Sequence, residues 1–300
     1  MPNDTSPVII EAALNGATPK SRNAAVPRTP DEVASDAVRC IDAGASIIHN
    51  HNDDAVIGAR PTHDAEPYLE AWRQILKQRP ETILYPTMGS GGPGTDVRAR
   101  YSHIETLAEA GVLGQGLVDP GSVNLGPTDA DGRPSAVDLT YVNTFGDARH
   151  MFDTCARLDL GPSISIFEPG FLRVALAYHE AGAVPPGAMV KLYFGGPRMH
   201  FGLQPTAAGL EAYLDMLEGS GLSWSVAVLG GDVIGCGLAE LALLRGGHVR
   251  VGLEDFGGPG QPSNVQLVEQ LVELAARCGR DVADAATART VLGLRPAGRS

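Results

Sequence analysis

The chain has 300 residues, 43% hydrophobic and 19% charged, with a formal net charge of −12. That balance argues against a nucleic-acid partner held on a basic face, and no apolar run approaches the ~20 residues of a membrane span. The first residues lack the basic-then-apolar layout of a signal peptide, so a soluble, cytoplasmic protein without a membrane partner is expected. Cys40, Cys155, Cys236 and Cys278 are widely spaced, without C-x-x-C pairing, and each falls in a segment read as helical. They are expected to be reduced, buried and structural.

In chain order, β-branched runs alternate with amphipathic stretches. Strands are predicted at 8–13, 46–50, 82–87, 114–118, 163–167, 189–194, 223–229 and 248–254. Helices are predicted at 31–43, 66–78, 96–110, 146–158, 171–181, 206–217 and 234–245, followed by 264–278 and 285–292. Thr29-Pro30-Asp31 starts the first helix, and Gly44, Gly111 and Gly182 stop others. Eight strand-then-helix units imply an α/β fold of the closed (β/α)8 TIM-barrel type, near the ~250 residues typical of it. A doubly wound sheet would carry a glycine-rich turn after its first strand; here that turn reads Glu11-Ala-Ala-Leu-Asn-Gly16. The expectation is one domain over 1–300, with a short N-terminal arm at 1–7 and a C-terminal helical extension.

Barrel enzymes keep their chemistry at the C-terminal strand ends. The polar residues there are Glu11 and Asn15 after strand one, His49 and His51 at strand two, Thr87 at strand three, Ser122 and Asn124 after strand four, and Glu254 and Asp255 at strand eight. Alternation sends His49 and His51 to one face, half of a zinc site; the competing reading is two capping or core histidines in a polar turn beside Asp53 and Asp54. Arg250 and Glu254 likewise share a face of strand eight, and closure brings that strand beside strand one and Glu11. Glu254 can then complete the metal set with His49 and His51, while Arg250 and Glu11 serve either the site or a structural ion pair. Lys191 on strand six reads as lying low in the barrel, and His248 at the wrong end. His63, His103, His150 and His179 read as solvated, and His200 lacks support. Glycines at 89–94 and Gly230-Gly231 could offer N–H groups to phosphates, the latter just ahead of a helix N-terminus.

These residues resemble the β-keto acid cleavage enzyme family, whose characterised relative is the 3-keto-5-aminohexanoate cleavage enzyme. The resemblance runs almost end to end. It is carried by Ile10-Glu-Ala-Ala-Leu-Asn-Gly-Ala17, Ile48-His-Asn-His51, Ser122-Val-Asn-Leu-Gly126 and above all Gly247-His-Val-Arg-Val-Gly-Leu-Glu-Asp255. It implies a zinc-containing barrel, commonly a homotetramer, that exchanges a β-keto acid with acetyl-CoA to give acetoacetate and a new acyl-CoA. It implies further that His49, His51 and Glu254 bind zinc, that Asp255 is the base oriented by Arg250 and Glu11, and that Thr87, Ser122 and Asn124 hold the substrate. The chain departs from the family pattern after strand seven, where Leu229-Gly-Gly-Asp-Val-Ile-Gly235 stands in place of a Gly-Arg sequence, and on strand five, which lacks an early Glu but ends in Glu168. Alternatives are a zinc-dependent hydrolase on the same barrel, since such a site also activates water, and a noncatalytic metabolite-binding barrel.

Overall fold

The computed structural model describes residues 6–52, 63–89, 95–136 and 140–296. Eight strands form one parallel sheet: β1 (Ile10–Ala13), β2 (Ile47–Asn50), β3 (Ile83–Pro86), β4 (Gly116–Val118), β7 (Pro162–Ile166), β8 (Met189–Gly195), β9 (Ser223–Leu229) and β10 (His248–Val251). Their order round the sheet is β3-β2-β1-β10-β9-β8-β7-β4, so first and last strands are neighbours. The two ends of this order meet where Gly114 N donates to Leu84 O at 2.8 Å, which nearly closes the barrel. A short antiparallel hairpin, β5 (Val123–Asn124) with β6 (Thr140–Tyr141), follows β4. The sequence pattern did not announce it, because two residues per strand are too few for any periodicity to register.

The helices follow local capping chemistry. In α1 (Pro30–Ala43) the Thr29 side chain accepts from Glu32 N while Glu32 reaches back to the cap, with proline in the first turn where its missing N–H costs nothing. The same reciprocal box opens α4 (Phe145–Leu158) with Thr144 and Asp147, and α8 (Asn264–Arg277) with Ser263 and Gln266. Between them lie α2 (Glu66–Gln78), α3 (Val97–Glu109), α5 (Pro169–Glu180) and α6 (Ala207–Leu217), and α9 (Ala285–Leu292) closes the order. α1 packs against α2 and α8, so the outer ring joins start to end as the sheet does. Buried aliphatic residues such as Ile10, Ile48, Val190 and Val249 fill the strand layer. Among the described residues no helix is long and apolar enough to cross a membrane.

Three expectations need correction. The seventh-unit helix, predicted at 234–245, is α7 (Leu238–Leu244): Asp232 Oδ1 accepts from Ile234 N (3.1 Å) and Gly235 N (2.8 Å), holding a turn where the helix was expected to begin. The last strand stops at Val251 rather than running to residue 254, because Gly252 takes φ +144 and turns the chain. Of the four free cysteines only Cys40 and Cys155 are buried; Cys236, left in the shortened helix's approach turn, is exposed, and Cys278 is half-buried.

Candidate active site and metal centre

Glu11 and Arg250 are register partners on β1 and β10, so their side chains leave the barrel wall together. Arg250 NH1 lies 2.8 Å from Glu11 Oε1, NH2 lies 2.6 Å from Glu254 Oε1, and Nε lies 2.6 Å from Asp255 Oδ2. Lys191 of β8 sits 3.0 Å from the same Glu11 oxygen and donates to the Tyr85 hydroxyl, which in turn donates to Glu11. Glu11, Lys191 and Arg250 are each 1% exposed. Ions this buried are tolerated only when each has a partner, and removing one partner costs about 3–5 kcal/mol.

Burial raises the Glu11 carboxyl, but Lys191 and Arg250 overcome it and hold the group down at about 2. Burial lowers the Lys191 ammonium below its ordinary value, against the pull of Glu11. Asp255 is pushed above the ordinary carboxylate value by burial, although Arg250 opposes this. Glu254 is held well below it: burial acts upward, and Arg250, His49 and His51 outweigh it.

Glu254 and Asp255 are not strand residues, yet their turn is fixed from several sides. Leu253 O accepts from Thr18 Oγ1 (2.8 Å), Leu253 N donates to Asn264 Oδ1 (2.8 Å), Glu254 N to Ala13 O (3.2 Å), and Gly230 N to Asp255 O (2.8 Å). β2 delivers the imidazoles. His49 Nε2 is 3.2 Å from Glu254 Oε2, and His51 Nε2 is 3.4 Å from Glu254 Oε1. Asn15 pins the backbone of His51 from both sides, accepting from its N at 2.8 Å and donating to its O at 2.9 Å.

A metal-sized fit follows from the donor chemistry. One ligand atom from each of His49, His51 and Glu254 lies within 4.8 Å of the others, and among the described residues no other trio of His, Cys, Asp or Glu does so. His49 Nδ1 is 3.3 Å from Tyr85 O, and a carbonyl only accepts, so the ring proton is on Nδ1 and Nε2 carries a lone pair. Burial keeps that ring neutral, lowering it to about 4 despite Glu254. Glu254 Oε2 accordingly has no hydrogen-bond donor among the described residues, although Nε2 is its near neighbour. Two donor atoms 3.2 Å apart with no hydrogen bond between them are an arrangement that a shared cation satisfies.

The site opens into a cavity of about 410 Å³ lined by His49, His51, Arg250, Glu254, Asp255, Tyr85 of β3 and Thr87 just beyond that strand. Of the three residues expected to hold substrate, Thr87 lines this cavity; Ser122 and Asn124 do not. Ser122 Oγ exchanges hydrogen bonds with Asn143 N and O, each at 3.0 Å, and Asn124 Oδ1 accepts from Thr140 Oγ1 at 2.8 Å, so both stitch the β5–β6 region. Lys191, read as lying low, lines the cavity, because its four-carbon stem reaches the Glu11 cluster. Asp119, Tyr141 and Ser165 also line it, and sequence reasoning singled out none of them.

Other expectations shift as well. Glu168 Oε1 accepts from Gly202 N at 3.0 Å and is absent from the cavity wall. Gly230 lines the cavity, but the amides that follow are taken by Asp232, so this loop is no free phosphate cradle. The glycine loop at 89–94, like Asp53 and Asp54, falls mostly or wholly outside the described residues. His103 is buried rather than solvated, its Nε2 2.8 Å from Thr87 O, while His248, read as lying at the wrong end for chemistry, opens β10 with its Nδ1 accepting from Ile9 N and is absent from the cavity wall.

With this geometry in hand, comparison with known proteins is specific. The chain is 31% identical over 300 residues to a 3-keto-5-aminohexanoate cleavage enzyme from Fusobacterium nucleatum, covering 96% of this chain and 98% of that one. It is 28% identical over 298 residues to 3-dehydrocarnitine:acetyl-CoA trimethylamine transferase from Rhizobium meliloti, covering 92% of each. It is also 28% identical over 300 residues to 3-oxoadipate:acetyl-CoA acetyltransferase from Cupriavidus necator, covering 97% of this chain and 96% of that one. In structure it resembles apo ObcA, with a TM-score of 0.72 at 18% identity over 90% of this chain and 66% of that one, a likeness of fold. Residues 7–294 match the family described as beta-keto acid cleavage enzyme, so the chain belongs to that family of enzymes and its barrel is theirs.

Proposed function

We propose that this enzyme exchanges a β-keto acid with acetyl-CoA, giving acetoacetate and a new acyl-CoA, and that it does so with zinc held by His49, His51 and Glu254. The observation that carries this reading is the meeting of that donor trio with the Arg250–Asp255 pair at one cavity wall. The names of the relatives from Rhizobium and Cupriavidus, both of which pair a β-keto acid with acetyl-CoA, support it.

A divalent metal bound there supplies Lewis-acid polarisation of the keto acid's oxygens. The chain's own residues do the rest. Asp255 takes a proton from the carbon between ketone and carboxylate, and its burial makes it a stronger base than a solvated aspartate. Arg250 fixes that carboxylate from two nitrogens, and Glu11, with Lys191, fixes Arg250. The enolate carbon attacks the acetyl thioester and expels the CoA thiolate. That sulfur adds to the original ketone carbon, and cleavage of the bond beside it releases acyl-CoA and the enolate of acetoacetate. Asp255 returns the proton. Thr87 stands at the cavity wall where the substrate's oxygens would lie.

The five charged groups Glu11, Lys191, Arg250, Glu254 and Asp255 sum to −1, being three carboxylates against two cations. A divalent ion turns the centre to +1, which suits an anionic substrate. We place the chain in the cytoplasm as a homotetramer of single-domain barrels, as the family resemblance implies. The test is acetoacetate formation from acetyl-CoA by zinc-loaded protein across a panel of β-keto acids. Failure of every member while zinc is bound one to one would remove the reading and move hydrolysis ahead of it.

A further inference from the structure

Away from the cavity wall, one side chain is bonded to both of the segments that supply the metal donors. Asn264 opens α8 and is fully buried. Its Oδ1 accepts from Leu253 N at 2.8 Å, and its Nδ2 donates to Leu14 O at 2.8 Å and to Asp36 Oδ2 at 2.6 Å. Leu253 N can only donate and Leu14 O only accept, so the carboxamide has a single orientation.

Both segments lead directly to the proposed ligands. Leu14 N donates to His49 O at 2.9 Å, and the next residue, Asn15, is the one that pins His51. Leu253 immediately precedes Glu254 and Asp255. One carboxamide therefore sets the spacing between the β1 and β2 ends, which carry the two imidazoles, and the turn that carries the two carboxylates. Asp36 completes the arrangement from α1: it is 3% exposed, and its other oxygen holds Arg39 NH2 at 2.8 Å. Burial raises its carboxyl, with Asn264 and Arg39 opposing. A buried carboxylate is costly unless it is bonded, and its bond from Asn264 is charge-assisted, which orients the amide more firmly than a neutral acceptor would.

We propose that Asn264, oriented by Asp36, is a positioning residue for the site. It holds the turn at 253–255 against the end of β1, so that Glu254 meets His49 and His51 while Asp255 meets the Arg250 fork. Neither Asn264 nor Asp36 lines the cavity, and both act through the backbone of Leu14 and Leu253. The inference rests on the metal reading above and adds to it a pair supplied by the helix ring, one residue from α1 and one from α8. Groups that orient metal ligands from behind are typically worth roughly 10- to 100-fold in metal affinity.

The experiment is a calorimetric zinc titration of chelator-treated protein, comparing the wild type with Asn264→Ala, Asp36→Asn and a control, Asp284→Ala. The control removes the side chain that accepts from Thr287 N at the start of α9, so it costs stability without touching either segment. Zinc Kd rises roughly 10- to 100-fold in Asn264→Ala, rises less in Asp36→Asn, and stays at the wild-type value in Asp284→Ala. Because Asp36 acts through Asn264, adding Asp36→Asn to Asn264→Ala raises Kd no further, and an additive rise would refute that relay. An unchanged Kd in Asn264→Ala, or an equal rise in Asp284→Ala, overturns the proposal. If Asn264→Ala does not fold, Asp36→Asn decides alone, and a Kd unmoved from the wild-type value sinks the idea. If the wild type binds no zinc, the metal reading fails by itself and amide exchange decides. The Glu254 amide, bonded to Ala13 O, then exchanges faster in Asn264→Ala than in the wild type or Asp284→Ala. Equal exchange in all three would mean that the turn stays seated without Asn264, and the proposal is lost.

Discussion

Arg250 grips Asp255 at two points, Nε 2.6 Å from Oδ2 and NH2 3.2 Å from Oδ1, while its remaining nitrogen holds Glu11. A carboxylate fixed by a planar fork is oriented as well as neutralised. Asp255→Asn keeps the shape and removes the basic oxygen. We expect the variant to retain zinc one to one and to lose roughly 10²- to 10⁴-fold in kcat, the usual worth of a positioned base. Metal analysis and the acetoacetate assay check the two halves separately, and full turnover in this variant would remove Asp255 as the base.

The close, unbonded donor atoms His49 Nε2 and Glu254 Oε2 make a prediction that needs no substrate. A ligand that binds the folded chain alone stabilises it, by about 2.7 kcal/mol when free ligand is 100 times Kd. Zinc added to chelator-treated protein should therefore raise its melting temperature in a concentration-dependent way. Glu254→Gln loses the anionic member of the trio, and its melting temperature should rise only at much higher zinc. An identical titration curve for both proteins would exclude this trio as the binding site.

The parts of the site legible in the sequence were those set by short-range geometry. Period-two alternation paired His49 with His51, and the closing of first strand on last brought Arg250 to Glu11. Glu254 joined Arg250 by another route than alternation, since the strand ends at Val251 and a pinned turn brings it back. Lys191 was misjudged because height in a barrel was read from the backbone, whereas a long side chain reaches past its own level. Asp119 gave no signal at all. It lies just past β4, before Pro120-Gly121 in a stretch that reads as an ordinary turn, and its partners arrive from β6 and β7, far along the chain.

His103 gives a pH test on a residue outside the metal trio. It is 1% exposed, its Nε2 lies against Thr87 O, and burial lowers its ring from 6.5 to about 4. A folded-state value below the unfolded one means that the unfolded chain binds more protons between those limits. Stability therefore falls as pH drops from about 6.5 to about 4, by on the order of 3 kcal/mol from this residue. His103→Gln should show a shallower loss over that window when both proteins are denatured chemically at several pH values. Parallel curves would remove the residue as a source of acid sensitivity.

Gly16 provides the sharpest separation of site from scaffold. Its φ is +48, and a Cβ placed there would fall inside the Glu254 side chain. Gly111 has φ +69, but a Cβ there meets nothing within 4 Å. Alanine at either position incurs the left-handed backbone penalty of about 1–2 kcal/mol. Only Gly16→Ala must also move the metal carboxylate. Displaced or poorly supported ligands typically lose about 10- to 100-fold in metal affinity. Zinc Kd should therefore rise by that factor in Gly16→Ala and stay near the wild-type value in Gly111→Ala, with Gly111→Ala losing only the backbone penalty in zinc-free buffer and Gly16→Ala losing that plus the cost of moving Glu254. Calorimetric zinc titration beside denaturant unfolding reads both quantities. Equal zinc affinities would mean that Glu254 is free to shift without cost, and the trio would then be too loose to be a built metal site.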